Sequence, residues 1–388
     1  MKKNILLVGT YCSLNKGDQL MQQVLVDHLT QESSKLQFCL SSPFPSIDRK
    51  CYKNISIVKS YRRNLVISTI LIFLLLLLPR KLQKTISRAT PELRRYYKAD
   101  IVIDVSGDML TEDYGIIVGI SHSIPLILAA LLNKTLVIAP QSIGPFKYLK
   151  KLYTCLLSKA NIVLCREEIT LQYLIGLKLS NLKKTGDIGY LLKPKPVKLK
   201  TGGNYFCVAP SALLEHKFQP LQSSPNFLSD FAQLLDTISV EHNLTTVLVP
   251  HVETPSGKIS DHQACQKISR HMTSSHTILD HAIKPEECKF IISKSKFTIA
   301  FRMHAAIASL SSYIPTIAIA YSHKTVGVMR DLGLDGYVIR NKEDVFDELP
   351  PLVDDIITNH DKISQRIKMH VDPIKDNTSQ ALNSILEL

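Results

Sequence analysis

The sequence predicts a doubly wound α/β architecture, two Rossmann-like domains facing a cleft, on three grounds. Short apolar runs rich in β-branched residues recur along the chain, stretches of helical periodicity separate them, and one proline- and glycine-broken segment divides the series in two. Runs that are apolar at every position, rather than at alternate ones, belong to strands covered on both faces, as in a parallel sheet between helix layers. At 388 residues the chain is too long for one ordinary core of this kind and suits two.

In the first half the strand-like runs are Asn4 to Gly9, Ile101 to Val105, Thr135 to Ala139 and Ile162 to Leu164. The second half repeats the rhythm with Tyr205 to Ala209, Thr246 to Val249, Phe297 to Ala300 and Thr316 to Ala320. Between the first pair, Leu20, Met21, Val24, Leu25 and Leu29 fall on one helical face, predicting a helix over Asp18 to Leu29. Pro194, Pro196, Gly202 and Gly203 break the stretch Leu192 to Asn204, which is therefore the expected seam. The domains so drawn cover residues 1–195 and 203–388.

Composition narrows the partners. A formal net charge of +13 suits nucleic acid, an anionic membrane surface or phosphorylated substrates. Between Lys59 and Lys98 stand ten basic residues against the single acid Glu92, and they bracket the apolar run Leu65 to Leu78. No stacking aromatics are interleaved with these charges and the chain has no Trp, so no nucleic-acid partner is expected. Fourteen helical residues extend about 21 Å, short of the roughly 30 Å hydrocarbon core, which leaves a dip into one leaflet or a buried helix. The basic flanks favour the membrane surface for the segment 61–98. The apolar run after Lys2 and Lys3 is shorter than a signal-peptide core, so the expected location is cytoplasmic, peripheral at the inner face of the cell membrane. The eight cysteines show no CxxC spacing, and no metal-ligand cluster is apparent.

Ligands of doubly wound sheets sit beyond the carboxyl ends of the strands, so the residues that follow each strand are the candidates for chemistry. After the first strand come Asn15, Lys16, Gly17 and Asp18. Gly17 is free to take a positive φ, and Asn15 and Asp18 suit a helix start whose N–H groups attract anions. Ser106, Gly107 and Asp108 follow Val105 and offer an acidic loop that would bind sugar hydroxyls or act as a base, or is simply a solvated turn. Gln141 and Ser142, in the segment Pro140 to Phe146, sit in a loop stiffened by two prolines and present amide and hydroxyl groups to the cleft. Arg166 stands after the next strand, where a guanidinium can grip a carboxylate or phosphate. In the second half, Arg302 and His304 follow one strand, Tyr321 and Lys324 the next, and His251 with Glu253 an earlier one.

Together these residues resemble the polysaccharide pyruvyltransferase family. The resemblance runs over most of the chain and rests chiefly on Gln141-Ser-Ile-Gly-Pro-Phe146 and Arg302-Met-His304, supported by Asn15-Lys-Gly-Asp18, Arg166-Glu-Glu and Tyr321-Ser-His-Lys324. It departs at Val105 to Asp108, where the family usually carries a run of glycines. What it implies is a fold similar to GT-B glycosyltransferases, phosphoenolpyruvate as co-substrate with no separate cofactor, and a pyruvate ketal bridging two hydroxyls of a surface-glycan sugar or its lipid-linked precursor. Arg166, Arg302 and His304 then look like donor-binding and catalytic residues, with Lys324 added on spacing. His304 is the expected acid/base, and Asp18 or His251 is left to protonate the donor's methylene. Two other readings fit the same residues: a GT-B glycosyltransferase with a nucleotide-sugar donor, and a non-catalytic component of a glycan assembly complex at the membrane.

Overall fold

The computed structural model describes residues 2–199, 203–213, 227–320 and 323–388. It resolves into two compact units. The first comprises Met1–Ser13, Met21–Ile188 and Asp376–Leu388, and the second Leu14–Leu20 and Gly189–Lys375.

The first unit carries a seven-stranded sheet of β1 (Lys3–Val8), β2 (Leu36–Ser42), β3 (Ser56–Lys59), β4 (Ile101–Asp104), β5 (Thr135–Gln141), β6 (Ile162–Cys165) and β7 (Leu182–Lys184). Its order is β3-β2-β1-β4-β5-β6-β7 and every neighbour is parallel. The helices are α1 (Lys16–Glu32), whose opening turn belongs to the second unit, α2 (Pro45–Cys51), α3 (Leu65–Leu77), α4 (Arg80–Ala89), α5 (Pro91–Lys98), α6 (Ile116–Leu131), α7 (Lys150–Ser158) and α8 (Glu168–Gly176). Leu6, Leu7, Val102, Ile103, Val137 and Ile138 point to alternate sides of the sheet and are all essentially inaccessible, as expected of strands sandwiched between helices.

The second unit repeats the plan. Strands β8 (Tyr205–Ala209), β9 (Thr245–Leu248), β10 (His276–Ile278), β11 (Thr298–Ala300), β12 (Thr316–Ile319) and β13 (Val338–Ile339) pair in the order β10-β9-β8-β11-β12-β13, again all parallel. In each sheet the strand order reverses beside the first strand, between β1 and β4 and between β8 and β11. Those two reversals are where a doubly wound sheet opens a crevice at its carboxyl edge.

The division differs from the one the sequence suggests. Leu14–Leu20 goes with the second unit because its backbone is hydrogen-bonded there: Lys16 N–H donates to the His251 carbonyl at 3.0 Å, and Glu253 N–H to that of Leu14 at 3.2 Å. Asp376–Leu388 goes with the first, where Gly186 N–H donates to Thr378 Oγ1 at 2.8 Å and Lys3 Nζ to the Leu386 carbonyl at 3.2 Å. The expected seam overlaps second-unit structure at Leu192 and Lys195, which bond Lys289 Nζ at 2.6 Å and the Glu286 carbonyl at 2.9 Å. Lys200, Thr201 and Gly202 of that seam lie outside the described residues.

Helix α3 is not the fully buried helix that its composition allows. Ser68, Leu71 and Leu75 face the core, whereas Val66, Ile70, Phe73 and Leu77 lie on the opposite side and are 53–77% exposed.

Candidate active site

In the second unit the strand ends converge on Asp261, which heads the helix Asp261–Ser269 and is completely buried. Its Oδ1 accepts from Ala212 N–H at 2.9 Å, beyond the end of β8, and its Oδ2 from Val252 N–H at 2.8 Å, beyond β9. The same carboxylate takes a fork from Arg302, with Nη2 to Oδ1 at 2.6 Å and Nε to Oδ2 at 2.9 Å. Arg302 is the residue before the helix Met303–Leu310 and follows β11, so one carboxylate ties together the ends of three strands around the reversal point. Two parallel charge-assisted bonds fix the plane of a guanidinium as well as its position. The side chain of Arg302 remains 13% accessible, so its charge is aimed but not sealed.

The turn Asn15 to Asp18 lies in the same unit. Asn15 caps α1, its Oδ1 accepting from Gly17 N–H at 2.9 Å, and it forms a bridge with Val252. Gly17 is helical and does not use a positive φ. Its lack of a side chain has a different cause: a Cβ there would run into the imidazole of His304, at Nδ1, Cε1 and Cγ. The ring of His304 thus rests on the backbone at the start of α1. Asp18 is buried in the same turn, and Lys16 is buried with Nζ donating to the His281 carbonyl at 2.7 Å.

His251 is buried nearby, with Nδ1 against the Val249 carbonyl at 3.2 Å. Burial, helped by the positive charge of Lys16, pushes its pKa down to about 4. At neutral pH roughly one molecule in a thousand then carries the second proton. The imidazole is therefore a neutral group with its Nδ1 proton on the carbonyl, a poor proton donor and, with its pKa so depressed, a weak base. Lys324, in the helix His323–Asp331, follows β12, the neighbour of β11, and is buried. Tyr321 lies outside the described residues.

The first unit places its residues differently. Gln141 ends β5 and is fully buried rather than presented outward: its amide donates to Asp104 Oδ2 at 2.9 Å and its carbonyl oxygen accepts from Ser106 Oγ at 2.8 Å. Ser142 is equally buried, donating to Glu167 Oε2 at 3.0 Å and accepting from Arg166 Nε at 2.8 Å. Arg166 is sealed: its side chain has no exposure, and Nη1 donates to Asp187 Oδ2 at 2.9 Å with Glu167 Oε2 3.6 Å from Nε. Burial works against its charge, but Asp187 and Glu167 more than restore it, and its pKa rises further. Nη2 finds no hydrogen-bond partner among the described residues. An arginine in that position holds the Gln141–Ser142 segment in place. It is not a guanidinium open to a ligand, as the sequence suggests.

Gly107 has φ +73° and its carbonyl accepts from Ser142 N–H at 3.0 Å, while half-buried Asp108 accepts from Tyr114 Oη at 2.8 Å. Glu112 receives the N–H groups of Lys147, Tyr148 and Leu149 at 2.7–3.0 Å, which fixes the turn that leads into α7. Deeper, beside the reversal between β1 and β4, lie Thr10, Gln22, Arg62, Asp104 and His122. Burial raises the pKa of Asp104. Arg62 donates from Nη2 to the Thr10 carbonyl at 2.5 Å and from Nη1 to His122 Nε2 at 2.6 Å. Arginine has no acceptor, so His122 carries its proton on Nδ1, and burial with the Arg62 charge holds its pKa well below the ordinary value. Gln22 Oε1, Asp104 Oδ1 and His122 Nδ1 find no hydrogen-bond partner among the described residues.

The sequence matches the model of the family described as polysaccharide pyruvyl transferase over residues 15–323. The chain belongs to that family. A relative, the amylovoran biosynthesis protein AmsJ of Erwinia amylovora, is 22% identical, with 95% of each chain covered. Among solved structures, the pyruvyl transferase chain is similar to one from Listeria monocytogenes assigned as a UDP-N-acetylglucosamine 2-epimerase, with TM-score 0.63, 11% identity, and 100% and 95% of the two chains covered. It is also similar to the UDP-GlcNAc 2-epimerase of Neisseria meningitidis bound to UDP-GlcNAc, with TM-score 0.61, 9% identity and full coverage of both. Identities this low establish a shared two-domain, GT-B-like α/β fold and nothing of the chemistry.

Asp261, Asp104 and Asp187 escape the sequence reading, Lys16 and Glu167 stand in its motifs without a role of their own, and Arg62, one of the basic residues expected at headgroup level, is buried instead. Ser260 and Asp261 look in sequence like an ordinary helix cap, and Ser260 does cap, accepting from Gln263 N–H at 3.1 Å. Only the parallel sheet brings Arg302, 41 positions later, onto the Asp261 carboxylate.

Proposed function

We propose that this protein transfers the pyruvyl group of phosphoenolpyruvate onto two hydroxyls of one sugar in an exopolysaccharide or its precursor, as a ketal. The observation that carries this reading is the Arg302–Asp261 fork next to His304, whose ring lies on Gly17, all within a chain of the pyruvyl transferase family. The AmsJ relative, named for amylovoran biosynthesis, supports an exopolysaccharide as the product.

Phosphoenolpyruvate carries about three negative charges at neutral pH, because a phosphate monoester's second pKa is near 6. Arg302, held planar by Asp261, and Lys324 after the neighbouring strand suit its carboxylate and phosphate. A proton is added to the methylene carbon, and positive charge develops on the carbon bearing the phosphate. A sugar hydroxyl adds there and gives its proton to His304. The carbon–oxygen bond to phosphate then breaks, phosphate leaves with the electron pair and takes up the proton held by His304, and the second hydroxyl closes the ring, giving its proton back to the group that protonated the methylene. The products are the ketal and inorganic phosphate. Asp18, buried in the turn that meets His304, is the choice for the methylene's proton, since His251 is held neutral. Asn15 and Gly17 shape the donor side. In the first unit Gln141, Ser142 and Arg166 are buried against one another and act as positioning residues for the loop that carries Gly107 and half-buried Asp108, the polar group there suited to a sugar hydroxyl.

Incubating the purified protein with phosphoenolpyruvate and an acceptor glycan, and following phosphate release alongside mass spectrometry for the ketal, tests the reaction. Thermal stabilisation by UDP-sugars without stabilisation by phosphoenolpyruvate would replace it with the nucleotide-sugar reading.

A further inference from the structure

We infer that the outer face of α3 and the start of α6 form a docking surface for an anionic phospholipid leaflet. Every residue of α3 except Ser68 and Thr69 is apolar, yet only one side is covered. Val66, Ile70, Phe73 and Leu77 fall at i, i+4, i+7 and i+11, a single stripe, and are 70%, 53%, 56% and 77% exposed. Helix α6 packs against α3 and adds exposed Ile116, Ile117 and Ile120 in its first turns. A contiguous apolar patch of this kind on a polar protein marks an interaction surface.

Its surroundings select the occupant. Arg63 before α3 and Lys81 and Lys84 on α4 are all exposed, and Gln83 of α4 donates to the Leu75 and Leu78 carbonyls at the end of α3, at 2.8 Å each. The one acid of the stretch, Glu92, is buried, accepting from Ser41 and Ser60 hydroxyls and Tyr61 N–H, so it offers no surface charge against them. Asp113, at the turn before α6, is the exposed acid nearest in sequence to the patch. An apolar stripe with a basic rim complements a leaflet whose tails are apolar and whose headgroups are negative. A second copy of this chain is a poorer fit, because a two-fold contact would bring the same cations face to face. No helix among the described residues is long and apolar enough to cross a membrane, and the half-covered α3, with one side bare, suits the interface plane. Arg62 anchors it: its carbonyl accepts from Ser121 of α6 at 2.9 Å and its guanidinium holds Thr10 at the end of β1, so the patch is fixed to the carboxyl edge of the first sheet.

This surface is independent of the transferase reading, and vesicle sedimentation tests it. The full chain is spun with vesicles of phosphatidylcholine alone and of equal parts phosphatidylcholine and phosphatidylglycerol. Binding to the mixed vesicles should exceed binding to the neutral ones by about tenfold and fall with salt. Ile70→Ser with Phe73→Ser should weaken both by about tenfold. Lys81→Glu with Lys84→Glu, with an unchanged melting profile as the control for folding, should abolish the preference for the anionic vesicles. Undiminished sedimentation of both variants would overturn the proposal. So would a wild-type chain that stays in the supernatant and elutes as a dimer broken by the serine substitutions.

Discussion

Two arginines follow two parallel strands in two sheets of the same design, and their surroundings give them opposite uses. Arg166 has no exposed side-chain surface and is enclosed by Asp187, Glu167 and Ser142, while Arg302 faces one carboxylate, Asp261, in a fork and stays 13% exposed. Around the first, two acids compensate one cation and burial is complete. Around the second, one acid orients the cation and leaves it at the edge. A guanidinium in a post-strand position is therefore a ligand grip only where its own protein has not already surrounded it.

The sharpest way to break this contrast is at the chemistry itself. His304→Ala should lower turnover by about 10²- to 10⁴-fold with an unchanged melting profile, and wild-type-like phosphate release by that variant would remove His304 from the mechanism. Arg166→Met should act on stability instead. Leaving Asp187 and Glu167 buried without their partner costs about 3–5 kcal/mol, read as a lowered urea midpoint, while turnover per folded molecule changes far less. If Arg166→Met folds normally and loses donor binding, the two arginines are alike after all.

A third expectation concerns pH. His251 binds a proton near pH 4 in the folded chain and near 6.5 when unfolded, so between those values the unfolded state holds more protons. Stability should fall as pH drops through that window, by about 2 kcal/mol from this residue between pH 7 and pH 5, and His251→Gln should flatten the dependence in urea titrations. His122, shifted the same way by burial and Arg62, would preserve a remainder. Smallest is Arg302→Lys, which loses the fork but keeps the charge: KM for phosphoenolpyruvate should rise roughly tenfold with little change in kcat.

Much of the fold was legible in sequence because it rests on burial. The eight runs read as strands all became strands, since β1, β4, β5, β6, β8, β9, β11 and β12 are covered on both faces and spell that out in unbroken apolar residues. The runs that went unread include β3, β7, β10 and β13 at the sheet edges, where Ser56 to Lys59 and Leu182 to Lys184 are half-exposed and carry polar residues. Helix α3 shows the same limit. Its sequence is apolar all round, so periodicity gives no sign that one face stays outside.

The sequence by itself determined the strand ends at which chemistry is sought, and with them Arg302, His304 and the turn from Asn15 to Asp18. Only the tertiary structure decided what those groups meet. It put Asp261 under Arg302, the His304 ring on Gly17, and Asp187 with Glu167 around Arg166. The physical reason is range: apolar burial and helix capping are read from neighbours a few positions away, whereas the balance of charge around a buried side chain is set by residues that only the folded sheet brings together.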